Sequence, residues 1–257
     1  MKLLTKALFA GLALSLGIQF ANASELAESL EKTKTVRVGT EGTYAPFTFH
    51  DEAGKLTGYD IDVTNEVAKR LGLTVVYQET LWDGIFAGLN AKRFDVIANQ
   101  VSATPERAKK YAFSEPYNVS RAVIVTREDN DKIKSFADLK GVKSVQSATS
   151  NYTELAKKNG ADLVIVDSLA QNLELVKQGR VAATVNEQIA VLDYFKKHPN
   201  VGLKIAVKND ETVGSVFTFL QGNEDVAAQF SKVLAEMRAD GTLKALSIKW
   251  FGDDITQ

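Results

Sequence analysis

The 257-residue sequence contains no cysteine, only four prolines and only two histidines. The absence of cysteine excludes disulfide bonds, thiolate metal ligands and lipid attachment at an N-terminal cysteine. His50 and His198 lie in polar, loop-like contexts outside any metal-ligand spacing, so no metal site is expected. Basic residues are not in excess, since 31 Lys and Arg face 32 Asp and Glu, which argues against a nucleic-acid partner.

Several motifs that mark enzymes and cofactor sites are also missing. The sequence contains no phosphate-binding loop, no GxGxxG turn and no GxSxG elbow. It therefore predicts no cofactor, and it gives little support to serine–histidine catalysis.

A long hydrophobic run occurs only at the N-terminus. Lys2 and Lys6 precede an uncharged stretch at residues 7–20, which is shorter than the ~20 residues of a membrane-spanning helix. Residues 21–23 (Ala-Asn-Ala) fit the small-x-small cleavage pattern. We therefore predict a signal peptide over residues 1–23 that is cleaved after export. An unanchored exported protein is retained only between two membranes, so the predicted location is the periplasm.

Beyond the N-terminus, strand-like and helix-like segments alternate. Residues 35–39 and 73–77 are typical of strands, and residues 60–71 carry a helical apolar face that ends at Gly72. The alternation continues to an amphipathic helix over residues 224–240. This order predicts an α/β fold with helices packed around mostly parallel sheets. On the pattern alone, two α/β lobes and one α/β domain both fit the length.

Candidate binding groups follow the predicted strands in the first half of the chain. Ligands of open α/β sheets bind outside the carboxyl ends of strands. Tyr44 and Trp82 offer flat rings with a polar tip, and core packing is the alternative for each. Arg107 lies early in a helix that starts at Thr104 and Pro105, where its planar fork suits a carboxylate. An exposed salt bridge is the alternative for Arg107.

Two further candidates lie in the second half. Thr149 belongs to a strand-to-helix turn whose hydroxyls and amides suit anion capture, with helix capping as the alternative. Glu187 follows the strand VAATV and suits an ammonium group, with a solvated surface charge as the alternative.

Taken together, these segments resemble the periplasmic polar amino-acid-binding proteins of ABC importers, the solute-binding proteins of family 3. The resemblance covers about residues 36–251 and rests on GTEGTYAPFTF, KLTGYDIDV, residues 82–117 and the terminal ADGTLKALSIKWFG. It implies a periplasmic binding protein-like fold (type II, Venus flytrap), in which a two-strand hinge joins two α/β lobes. Lobe one is expected at residues 34–118 plus 216–257, and lobe two at residues 119–215.

The resemblance also implies a function. A non-enzymatic monomer would close around an amino acid and deliver it to the membrane permease of an ABC importer. The Trp-Asp-Gly and Asn-Gln-Val segments are most similar to the cystine-binding branch. The resemblance implies that Tyr44 and Trp82 form aromatic walls, and that Gln100 and Ser102 contact the main-chain groups of the ligand. Arg107 and Thr149, from different lobes, would hold the ligand carboxylate. Glu187 would pair with the ligand ammonium, at a position where the family usually has Asp.

Two alternative functions remain open from the sequence. The same fold class includes rare periplasmic dehydratases, for which Glu187 would be the general acid. A ligand-sensing accessory protein is the other alternative, and it would need a signalling partner.

Overall fold

The computed structural model describes residues 23–256. The predicted signal peptide lies outside the described residues, except for Ala23. No helix within residues 23–256 is both long and apolar enough to cross a bilayer. This part of the chain also lacks any cluster of three or more His, Asp or Glu side chains able to hold a metal ion.

Helices and strands alternate through most of the described chain. The helices are α1 (Glu25–Thr33), α2 (Tyr59–Arg70), α3 (Trp82–Asn90), α4 (Pro105–Ala108), α5 (Asn151–Lys158), α6 (Leu169–Lys177), α7 (Gln188–Lys197), α8 (Glu224–Ala239) and α9 (Thr242–Phe251), with a 3-10 turn at Phe136–Leu139. The strands are β1 (Thr35–Thr40), β2 (Thr43–Tyr44), β3 (Thr48–His50), β4 (Leu56–Thr57), β5 (Thr74–Glu79), β6 (Val96–Ser102), β7 (Tyr111–Phe113), β8 (Asn118–Arg127), β9 (Lys143–Gln146), β10 (Asp162–Ile165), β11 (Ala183–Glu187) and β12 (Leu203–Leu220).

One nine-stranded sheet is the framework of the molecule, and β2, β3 and β4 form a small separate sheet. The main order is β10-β9-β11-β8-β12-β6-β1-β5, with β7 paired to β12. Strands on the two flanks pair in parallel, whereas β8 and β12 in the middle pair antiparallel with each other and with their other neighbours. The prediction of mostly parallel sheets therefore holds only for the flanks, because the chain passes through the middle twice in opposite directions.

Separate hydrophobic cores lie on the two sides of the β8–β12 pair, which divides the molecule into two lobes. In lobe one, Phe217 and Phe219 of β12 pack edge-on against Phe230 of α8. In lobe two, Val123 of β8 packs with Leu173 of α6 and other aliphatic residues. A two-lobed α/β architecture is thus confirmed, and the lobe limits at residues 118/119 and 215/216 stay a prediction.

Two helices of lobe two begin at polar side-chain caps next to the space between the lobes. Ser150 accepts a hydrogen bond from the Tyr152 amide at 3.1 Å, which starts α5. Glu187 accepts hydrogen bonds from the amides of Ile189 and Ala190 at 2.8 and 2.6 Å, which starts α7. Side-chain acceptors of this kind satisfy amides that have no partner within the helix. The caps therefore fix where α5 and α7 begin beside the space between the lobes.

Candidate functional site

A small pocket of about 50 Å³ lies between the two lobes. Its walls lie near the carboxyl ends of β1, β6, β9, β10 and β11, which is where open α/β sheets bind ligands. Residues of both lobes line it: Glu41, Tyr44, Trp82, Asn99 and Gln100 on one side, and Ser147, Ser150, Asn151, Tyr152, Asp167, Ser168, Leu169 and Asn186 on the other. Such a pocket is formed when two lobes close on a small ligand.

Both predicted aromatic walls belong to this pocket. The Tyr44 hydroxyl donates a hydrogen bond of 2.7 Å to Asn186 Oδ1 on the opposite lobe. The indole Nε1 of Trp82 is buried and has no acceptor among the described residues. Because a buried polar group without a partner is costly, the indole N–H is a natural donor to a bound polar ligand.

Gln100 lines the pocket, but its side-chain amide is held from behind. Nε2 donates to Asp60 Oδ1 at 2.6 Å and to Asn118 Oδ1 at 3.1 Å, while Oε1 accepts from the Ser215 hydroxyl at 2.7 Å. The backbone of Gln100 is left-handed, with φ of 50°. Ser102 is buried just beyond it and does not line the pocket.

Arg107 is partly buried at the edge of the cleft. Its Nη1 donates to the Ser102 carbonyl at 3.0 Å, and its Nη2 donates across the cleft to the Thr149 carbonyl at 3.2 Å. Its Cζ lies 4.9 Å from the Phe86 ring centroid and 5.5 Å from that of Trp82. Burial lowers the pKa of Arg107 to about 10, so the guanidinium stays charged at neutral pH. No carboxylate among residues 23–256 pairs with it, which leaves a cation beside the pocket.

Thr149 and Glu187 are both placed one position away from residues that line the pocket. Thr149 is exposed, whereas Ser150 lines the pocket. The Glu187 carboxylate is buried against the start of α7 and also accepts a hydrogen bond from the Ser120 hydroxyl, whereas Asn186 lines the pocket. Successive side chains of an extended backbone point to opposite sides, so one position separates the cleft from the interior. This geometry does not favour Glu187 as a general acid in the cleft.

Glu41 and Asp167 are acidic residues of the pocket that the sequence reasoning missed. Asn99 Nδ2 donates to Glu41 Oε2 at 2.6 Å, and Glu41 donates its own amide back to Asn99 Oδ1 at 2.8 Å. Burial raises the pKa of Glu41 to about 7, and the nearby charges of Asp167 and Asp83 act in the same direction. Glu41 lies in the same GTEGTY turn as Tyr44, directly after β1. Its position at the carboxyl end of a strand could have indicated that it lines the pocket.

The fold and the two-walled pocket are those of an extracellular solute-binding protein. Residues 36–253 match the model of the bacterial extracellular solute-binding proteins, family 3, and the chain belongs to that family.

Two relatives carry names that concern amino acids. A probable amino-acid ABC transporter-binding protein of Haemophilus influenzae is 60% identical over 238 residues, covering 93% of each chain. The L-cystine-binding protein TcyA of Bacillus subtilis is 52% identical over 238 residues, covering 92% of this chain and 88% of its own.

Two solved structures show how the lobes are arranged. The L-cystine solute receptor of Neisseria gonorrhoeae in its unliganded open conformation is 54% identical, covers 90% of this chain and 98% of its own, and superposes with a TM-score of 0.60. An ancestral arginine-binding protein bound to glutamine is only 37% identical, covers 86% and 99%, and reaches 0.81. The less similar sequence superposes better, so the overall arrangement here is nearer to that of the ligand-bound neighbour than to that of the open one.

Proposed function

We propose that this protein captures an amino acid, L-cystine, between its two lobes and delivers it to the membrane permease of an ABC importer. The observation that carries the proposal is the pocket between the lobes, with the uncompensated Arg107 cation beside it and the acidic Glu41 and Asp167 within it. A periplasmic location and a monomeric state complete the proposal. Family membership and the names of the relatives support the transport role.

The mechanism is capture by closure. Lobe one offers Arg107 and the two aromatic rings first, and closure then adds the polar groups at the starts of α5 and α7. A ligand that contacts both lobes stabilises the closed arrangement by its differential contacts. Charge-assisted hydrogen bonds contribute ~1.5–3 kcal/mol each. A micromolar dissociation constant requires only about −8 kcal/mol in total, so a few such bonds and one stacked ring suffice.

The charge pattern favours a ligand with charged groups at more than one point. L-Cystine carries two carboxylates and two ammonium groups. Two acidic residues line the pocket, the Arg107 cation lies beside it without lining it, and the relatives named for L-cystine are 52% and 54% identical. A ligand with two ammonium groups and two carboxylates can pair with more of these groups than a ligand with a single zwitterionic group.

The first prediction concerns ligand choice. We expect purified protein, freed of bound ligand by unfolding and refolding, to bind L-cystine one to one with a dissociation constant of about 1 μM or below. Isothermal titration calorimetry with L-cystine, L-arginine, L-glutamine and L-cysteine measures this directly. Tighter binding of any of the other three would contradict the assignment of L-cystine, and no binding of any amino acid would contradict the transport role.

The second prediction distinguishes neighbouring residues on β11. Asn186→Ala should weaken L-cystine binding about 10-fold or more, because Asn186 lines the pocket and its amide nitrogen donates no hydrogen bond within residues 23–256. Glu187→Gln, one position along, should change affinity less than about threefold, since its carboxylate caps α7. Calorimetry at pH 6 on both variants tests the pair. The reverse order of effects would place the ligand contact at Glu187.

A further inference from the structure

Asp83 makes four hydrogen bonds across the cleft between the two lobes. It lies in the first turn of α3, beside Trp82, but does not line the pocket. Its Oδ2 accepts from the Ala148 amide at 3.0 Å. Its Oδ1 accepts from the Thr149 amide at 2.9 Å and from the Thr149 hydroxyl at 3.0 Å. In addition, the Asp83 amide donates to Asp167 Oδ2 at 3.0 Å.

These four bonds join lobe one to two separate turns of lobe two. Residues 148 and 149 follow β9, and Asp167 follows β10. The Asp83 carboxylate uses both oxygens on the 148–149 turn, and its backbone amide bonds to Asp167, so this one residue links α3 to both turns. The bonds require the lobes to be close together, because every partner of Asp83 in this set belongs to the opposite lobe.

We propose that Asp83 is a positioning residue that holds the lobes closed and thereby sets the lifetime of the bound ligand. The effect of Asp83 on the lifetime of the ligand rests on the proposed function, whereas its effect on closure rests on the hydrogen bonds alone. Asp83 contacts the turn at 148–149 from outside the pocket, while Ser150 of the same turn faces into it. The contact is therefore compatible with a ligand in the pocket.

The carboxylate is the important part of the side chain. Hydrogen bonds from backbone amides to a charged acceptor are stronger than those between neutral groups. An asparagine at this position offers one acceptor oxygen, and its NH2 group would face an amide donor. A contact on α7, where Lys197 Nζ lies 4.8 Å from the Phe49 ring centroid, also spans the lobes but uses an exposed cation and no hydrogen bond. Asp83 should thus matter more for closure than Lys197.

The experiment has one arm that needs no ligand. Small-angle X-ray scattering of the unliganded protein should give a larger radius of gyration for Asp83→Asn than for the wild type, because fewer molecules are closed. Glu52→Gln removes an exposed lobe-one carboxylate and is the matched control, expected to behave as the wild type. An unchanged radius of gyration in Asp83→Asn would overturn the proposal for the unliganded protein.

The second arm measures kinetics with L-cystine as the probe. Stopped-flow tryptophan fluorescence should show a dissociation rate about 5- to 20-fold faster in Asp83→Asn, with an association rate within about twofold of the wild type. Thr149→Val removes one of the same bonds, so the double variant should lose less than the sum of the two single effects. Asp83→Glu should recover part of the loss, which a purely structural role in α3 would not explain.

The outcomes separate the two proposals. If the wild type binds no L-cystine but Asp83→Asn still expands the unliganded protein, the ligand assignment fails and the closing role of Asp83 stands. If Asp83→Asn binds L-cystine more tightly, Asp83 competes with the ligand for the 148–149 turn, and the proposal is wrong. Additive effects of Asp83→Asn and Thr149→Val would also overturn it.

Discussion

Arg107→Ala is expected to weaken L-cystine binding by about 100-fold or more, since two charge-assisted hydrogen bonds to a carboxylate contribute ~3–6 kcal/mol together. The guanidinium is charged, partly buried and without a carboxylate partner among the described residues, so it is set to bind an anion. Its stacking near Phe86 and Trp82 fixes the orientation of the fork. Calorimetry with L-cystine measures the loss.

The control for this variant is Arg127→Ala. Arg127 is an exposed arginine of β8 that pairs with Asp129 away from the pocket, so its removal should leave affinity within about twofold of the wild type. Far-ultraviolet circular dichroism should be unchanged in both variants. Tight binding retained by Arg107→Ala, with an intact fold, would remove the carboxylate clamp from the mechanism.

Glu187→Gln is expected to become more stable relative to the wild type as the pH rises. Burial raises the pKa of Glu187 from 4.5 to about 7, and the amides of Ile189 and Ala190 with the Ser120 hydroxyl only partly offset it. Between these two pH values the folded protein retains a proton that the unfolded chain releases. The stability of the wild type therefore falls as the pH rises from 4.5 towards 7, and this contribution is constant below and above that interval.

Glutamine does not titrate, so the difference in unfolding free energy between Glu187→Gln and the wild type isolates this effect. We expect the difference to shift in favour of the variant by about 1–3 kcal/mol between pH 5 and pH 8. Urea denaturation of ligand-free protein at the two pH values measures it, with Glu52→Gln as the exposed control. A pH-independent difference would show that Glu187 is already ionised in the folded protein at pH 5.

Local patterns were sufficient to predict the long amphipathic helices. The predicted ranges 60–71 and 224–240 agree within one residue with α2 and α8, because each has an apolar face and a glycine beyond its end. Helix α7 was not predicted, since its cap is a glutamate rather than the usual Ser, Thr, Asp or Asn. Most of β12 was not predicted either. Residues 208–212 (KNDET) are polar and mostly exposed, and only the ends of this stretch, Lys208 and Thr212, pair with β8 around an irregularity in register.

In lobe two, the predicted residues Thr149 and Glu187 lie one position from residues that line the pocket, Ser150 and Asn186. Sequence order predicted that the turns after β9 and β11 lie at the cleft, because the carboxyl ends of strands meet there. Sequence order did not reveal which of two adjacent side chains points into the pocket and which into the protein interior. That choice depends on the direction of the strand at its end and on which residue caps the next helix, as Ser150 and Glu187 show. The Asp83 contacts depend on how two distant lobes meet, which no local pattern contains.

The β8–β12 pair has a consequence for how the chain folds. Near the predicted lobe limits, Val119 of β8 and Gly214 of β12 lie opposite each other on adjacent strands. Lobe two is thus an insertion whose two ends lie side by side. Lobe one, in contrast, pairs β6 with the part of β12 that follows the insertion in sequence, with Ser102 opposite Ser215. Closing so long a loop is slow when the intervening chain is loose. During synthesis the inserted lobe should therefore fold before the lobe that surrounds it, although the surrounding lobe is begun earlier.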